Sequence, residues 1–160
     1  MENIEEIYKK YANLIKHYIF LITGNLELSE EIMQETFVIA IDQLNKFRGD
    51  CEIPVWLRSI AKKVLYKKTK RNIPMQTISI DNLNIVDSKD IEEEYISNNN
   101  ILKLYASLQK LDADTREVMY LRLTGDLTFK EIGKLLHRNE NWARVTFFRG
   151  KQKLSKEELL

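Results

Sequence analysis

The sequence predicts an all-α chain built as two small helical domains on either side of a flexible linker, and three observations predict it. Strong helix formers dominate, while 160 residues hold only five glycines and two prolines, too few turn residues for a sandwich or a barrel. Apolar residues recur at intervals of three and four over most of the chain, and at 44% of the composition they suffice for a core. From Asn72 to Asn100 that periodicity gives way to an acidic and polar tract. A structureless loop of such length is rare inside one compact domain, so the tract reads as a connector between two.

The first helix spans Ile4 to Ile22, with Ile7, Tyr8, Tyr11, Leu14, Ile15, Tyr18 and Ile19 on one buried face. Thr23-Gly24-Asn25 ends it, because Gly and Asn tolerate the left-handed conformation at a helix terminus. A second helix is expected from Ser29, with Glu30 and Glu31 in its first turn and Ile32, Met33, Phe37, Ala40, Ile41 and Leu44 turned inward. Its outward face carries Glu31, Gln34, Glu35 and Asp42, which is either a solvated surface or an interface. Phe47 to Pro54 forms a loop, and Pro54 suits the first turn of a third helix. That helix packs Trp56, Leu57, Ile60, Ala61, Val64 and Leu65 inward and shows Arg58, Lys62, Lys63, Lys67, Lys68, Lys70 and Arg71 outward. Seven cations and no acid across residues 58–71 call for a compensating anion, and the phosphate backbone is the commonest one.

After the connector, Ile101, Leu102, Leu104, Tyr105, Leu108 and Leu111 resume the helical spacing, and Asp112 caps a further helix containing Val118, Met119, Leu121 and Leu123. Thr128 and Glu131 form a capping box at the next helix start, where Ile132, Leu135 and Leu136 make one apolar stripe. Asn139 opens the last helix with Glu140 near the positive end of its dipole. There Trp142, Val145 and either Phe147 or Phe148 are expected inward, leaving Arg144, Arg149, Lys151 and Lys153 outward. Two capped helices joined by a tight corner make either a helix-turn-helix, whose second helix enters a major groove, or an ordinary helical hairpin with a basic face.

Several classes of function are excluded or left without support. The formal net charge of +1 gives no bulk tendency toward nucleic acid or membrane, so any such role rests on where the charges sit. Cys51 is the single cysteine, which rules out an intramolecular disulfide and a cysteine metal site and fits a reducing compartment. The start MENIEEIYKK lacks the features of a signal peptide, and no run approaches the ~18 apolar residues of a membrane span, so a cytoplasmic protein is expected. Nucleophile-elbow, phosphate-loop and zinc-protease patterns are missing. His17 and His137 lie in separate domains, and the paired acids sit on surface or linker, so neither catalysis, a metal nor a cofactor is expected. Phe47, Trp56 and Tyr66 flank the basic helix, either as core or as faces on which unstacked bases could lie.

Taken in order, SEEIMQETFVIA, FRGDCEIPVWLRSIAKKV and LQKLDADTREVMYLRLTGDLTFKEIGKLLHRNENWARVTFFRGKQKL resemble a bacterial RNA polymerase sigma factor of the small, two-domain extracytoplasmic-function class. The resemblance implies a region 2 helical bundle over residues 1–72, a linker over 73–100 and a region 4 helix-turn-helix over 101–160. It implies a protein with no catalysis of its own that binds core RNA polymerase, directs it to a promoter and helps to open the duplex. Glu31, Gln34, Glu35 and Phe37 correspond to the segment that docks on the clamp helices of the largest subunit, and region 4 to the part that meets the flap of the second-largest.

By the same resemblance Phe47, Arg48 and Asp50 fall in the loop that captures a flipped base of the −10 element. Lys62, Lys63, Tyr66, Lys67 and Arg71 lie on the helix along the melted strand. Arg144, Thr146, Phe148 and Arg149 fall on recognition-helix positions facing the −35 element, with Lys151 and Lys153 as phosphate contacts. An anti-sigma factor, often membrane-bound, commonly holds such proteins. The chain departs from the family at Lys63 and Lys67, where Asn and Asp are frequent, at His137 in place of the corner Gly, and at Trp142 in place of a small or β-branched residue. The competing reading is a dimeric repressor or activator that binds duplex DNA without polymerase.

Overall fold

The computed structural model describes residues 2–69, 103, 105–125 and 127–156, and every regular element among them is helical. The chain divides into two compact units, Met1–Gln76 and Thr77–Leu160. The connector, Lys70 and Arg71 lie outside the described residues.

In the first unit Asn3 opens α1 (Ile4–Thr23) with a reciprocal capping box: the Glu6 amide donates to the Asn3 side chain, and the Asn3 amide to the Glu6 carboxylate. Gly24 ends the helix in the left-handed region at φ 66°. Asn25 immediately caps α2 (Leu26–Gln43), its side-chain oxygen accepting from the Leu28 amide at 3.0 Å. The second helix therefore begins one turn before the expected Ser29. Ser29 is fully buried instead, its hydroxyl donating to the Asn25 carbonyl at 2.6 Å. A short 3-10 turn (Leu44–Lys46) leads into the loop, and α3 (Ile53–Thr69) follows with Pro54 in its first turn.

Ile7, Ile15, Tyr18 and Ile19 of α1, Ile32, Phe37 and Ala40 of α2, and Leu57, Ile60, Ala61 and Val64 of α3 form the core of this bundle. Phe20 and Leu21 are also buried, because the end of α1 meets neighbours on more than the one predicted stripe. Arg58 corrects the sequence reading. It is only 1% exposed, its guanidinium 5.8 Å from the centre of the Tyr18 ring. Its position explains this, for Arg58 lies three residues before Ala61 and seven before Leu65, on the inward stripe.

In the second unit a helical stretch at 105–108 buries Tyr105 and Leu108. Arg116 ties down its end by donating to the carbonyls of Leu108 and Leu111. Asp112 caps α4 (Ala113–Gly125) through the amide and hydroxyl of Thr115, at 3.2 and 2.6 Å. Thr128 and Glu131 close the predicted capping box on α5 (Phe129–Leu135). His137 takes a left-handed φ of 58° at the corner, and the Asn139 side chain accepts from the Trp142 amide to open α6 (Glu140–Lys156).

The inward face of α6 differs from expectation. Ala143, Phe147, Gly150 and Leu154 are buried, whereas Val145 and Phe148 are exposed. Small residues set this face. A methyl on Gly150 would lie 2.7 Å from Thr115 Cγ2, and one on Gly133 would lie 2.8 Å from the Asn139 backbone, so α4 and α5 approach α6 too closely for bulky side chains. Of the apolar residues of α4, Val118, Met119 and Leu121 are buried and Leu123 is exposed. No helix among the described residues is long and apolar enough to cross a membrane.

Candidate polymerase and nucleic-acid interfaces

The outward face of α2 combines charge with apolar surface. Glu31, Gln34 and Glu35 are exposed, as the helical spacing predicts. Phe37 is not part of that surface: it is 3% exposed and packs edge-on against Tyr8, ring centres 5.0 Å apart. Its place is taken by Val38 and Ile41, 66% and 57% exposed, which follow Gln34 by four and seven residues. Sequence reasoning passed over Val38 and turned Ile41 inward. The signal available was excess, since α2 has more apolar residues than one buried stripe accommodates. The α2 acids also reach α3: Lys68 Nζ lies 2.8 Å from Glu31 and 3.0 Å from Glu35. Hydrogen bonds to those carboxylates hold the Lys68 ammonium's pKa above its ordinary value.

Beside that face, the loop brings Phe47 onto Trp56 with ring centres 4.8 Å apart. Both rings are half-buried, while Arg48 and Asp50 are exposed around Gly49. On α3, Lys63, Tyr66 and Lys67 are exposed and Lys62 is half-buried, so the cationic face survives the loss of Arg58. Tyr66 is 66% exposed on that face. Arg71, expected to extend it, lies outside the described residues.

On α6, Arg144, Phe148, Arg149, Lys151 and Lys153 are exposed and Thr146 is half-buried on the flank. Val145 joins this surface, an apolar position that the sequence reading had turned inward. The charges are tethered unequally. Arg144 meets Glu140 one turn back at 3.1 Å and lies 5.6 Å from the centre of the Phe129 ring. Lys153 stands 3.8 Å from Asp112 across α4 and α6. Trp142 is half-buried beneath the Arg138 guanidinium, 5.1 Å from its ring centre. Among the described residues no three His, Cys, Asp or Glu side chains gather as metal ligands would.

Comparison with known proteins gives this arrangement a family. Residues 7–72 match the profile described as Sigma-70 region 2, and residues 101–154 match that described as Sigma-70, region 4. The chain is 30% identical to the RNA polymerase sigma factor YlaC of Bacillus subtilis, across 97% of this chain and 91% of that protein. It is 25% identical to the ECF RNA polymerase sigma factor SigX of the same organism, across 99% and 86%. The sigma factor RpoE of Bartonella quintana, solved in complex with the anti-sigma factor NepR, shares the fold with a TM-score of 0.67 at 13% identity, covering 97% of this chain and 94% of that one. The chain belongs to the sigma-70 family of RNA polymerase sigma factors, in its extracytoplasmic-function class. Promoter-directed transcription initiation is the function of that class, and the stand-alone repressor is not favoured.

Proposed function

We propose that the chain joins core RNA polymerase through the α2 face and reads a promoter at two elements, without catalysis of its own. The observation that carries this reading is the exposed α2 surface of Glu31, Gln34 and Glu35 with Val38 and Ile41. A repressor working alone on duplex DNA has no use for an acidic and apolar face beside its cationic helix. A partner with a basic, partly apolar surface suits it, and the clamp helices of the polymerase's largest subunit are the occupant the family implies. Phe37 supports that face from beneath, while residues 101–160 meet the flap of the second-largest subunit.

In this reading residues 1–72 form the region that melts and captures the −10 element. Phe47, Arg48 and Asp50 hold a displaced base, and Lys62, Lys63, Tyr66, Lys67 and Arg71 follow the single strand. Residues 101–160 read the −35 element as duplex, Arg144, Thr146, Phe148 and Arg149 at base edges and Lys151 and Lys153 at phosphates. The segment 73–100 links the two. The protein works in the cytoplasm in a stress or envelope response, held until needed by an anti-sigma factor, in some settings a membrane-bound one.

The test is reconstitution with purified core polymerase and a library of promoter fragments. Specific transcripts that require both proteins are expected. Specific binding to a palindromic duplex by the chain alone, with no transcripts on adding polymerase, would instead establish the repressor.

A further inference from the structure

Arg144 is the most constrained exposed cation on α6, and its constraint can be traced to the core. Phe147 is buried and packs on Phe129, ring centres 5.5 Å apart. Arg122 at the end of α4 lies 4.5 Å from the Phe129 ring centre and donates to the Leu127 carbonyl at 2.8 Å. Phe129 is thus contacted from α4 and from α6, and Arg144 lies 5.6 Å from the centre of that half-buried ring. The Glu140 carboxylate holds the other side of the contact, accepting from the Arg144 guanidinium at 3.1 Å. An arginine has many rotamers, and a side chain already ordered before binding loses less conformational entropy on meeting a base.

We propose that Phe129 is a positioning residue for reading the upstream promoter element, its ring and the Glu140 carboxylate together holding the Arg144 guanidinium in the orientation that meets a base edge. This rests on the role proposed above for Arg144. Phe129 itself contacts no base. Its ring also lies 6.4 Å from that of Phe148, and its effect is largest at the base pair that Arg144 reads.

The experiment uses full-length chain with core polymerase and a promoter pool randomised over the upstream element, scored by transcript abundance. Arg144→Ala relaxes the preference at one base pair. Phe129→Leu keeps the apolar volume and removes the aromatic face, and is expected to relax the same preference about three- to fivefold. Phe129→Tyr restores it, and Phe129→Leu adds nothing in the Arg144→Ala background. Glu140→Gln, an exposed substitution that leaves the packing of Phe129 untouched, relaxes that base pair about twofold and guards against a Phe129→Leu chain that fails to fold.

The proposal is overturned if the preference survives both Phe129→Leu and Glu140→Gln, if all positions weaken uniformly, or if Phe129→Leu and Arg144→Ala add. If Arg144→Ala alters no upstream position while wild-type transcripts appear, the base-reading role of Arg144 falls and the proposal with it, leaving the sigma-factor reading intact. Absent transcripts from the wild-type holoenzyme would sink both.

Discussion

In α3 the described cations are four lysines and one arginine, and the arginine is the one that is buried. In α6 the exposed arginines, Arg144 and Arg149, come first along the helix and lysines follow toward its end. The two helices therefore spend similar charge in different ways. Lysine is a compact charge on a flexible stem, suited to tracking the phosphates of a strand whose shape changes as it separates from its complement. Arginine presents a planar fork that can stack on an aromatic ring and meet one base edge in fixed geometry. Arg144 on Phe129 is that second arrangement, whereas Lys63 and Lys67 beside Tyr66 belong to the first.

The contrast is broken most severely at Arg58. Arg58→Ala removes a fully packed side chain from against Tyr18 and is expected to cost about 3 kcal/mol of stability in urea unfolding. Arg144→Ala should leave the unfolding midpoint unchanged; an equal loss at both sites would erase the distinction. Next in size is Gly133→Ala, whose methyl would press on the Asn139 backbone at 2.8 Å and displace the start of α6. About 2 to 3 kcal/mol is expected in thermal melts, with loss of upstream discrimination while the contacts of α3 persist. Arg144→Ala should cost about 2 kcal/mol of discrimination at one upstream base pair, read by run-off transcription from single-substitution promoters.

Lys67→Ala sharpens the comparison from the other side. It should weaken holoenzyme binding to all promoters alike and lower the slope of log affinity against log salt by about 1. A slope equal to wild type would remove Lys67 from the phosphate contacts. The smallest effect concerns Lys68, whose pKa is raised above its ordinary 10.5 by Glu31 and then Glu35. Because the folded value is the higher one, the stability it contributes is present below 10.5 and is lost as pH rises through the raised value. Chemical denaturation of wild type and Lys68→Ala should therefore converge at high pH.

Much of this architecture was legible from residue order alone. The capping box at Thr128, the terminator at Gly24 and the cap at Asp112 each rest on local chemistry that no tertiary contact needs to supply. Asn25 was missed as a cap because Gly24 and Asn25 were read together as a break, when one ends α1 and the other begins α2. Arg58 was placed by its charge, whereas its helical position decided its burial. The face of α6 was assigned by size, and close approach to α4 and α5 favoured Ala143 and Gly150 instead. Charge placement made the candidate interfaces legible in outline. It could not show which cation is tethered, since Phe129 and Arg122 reach Arg144 only through the folded chain.

The bridge from Lys68 to Glu31 and Glu35 joins the face proposed for polymerase to the helix proposed for the melted strand. One ammonium cannot at once neutralise those two acids and a phosphate. Whatever basic surface engages Glu31 and Glu35 therefore releases a positive charge onto α3, and an anion that takes Lys68 leaves the two carboxylates open to that surface. The two affinities are then linked, each raising the other by the same factor.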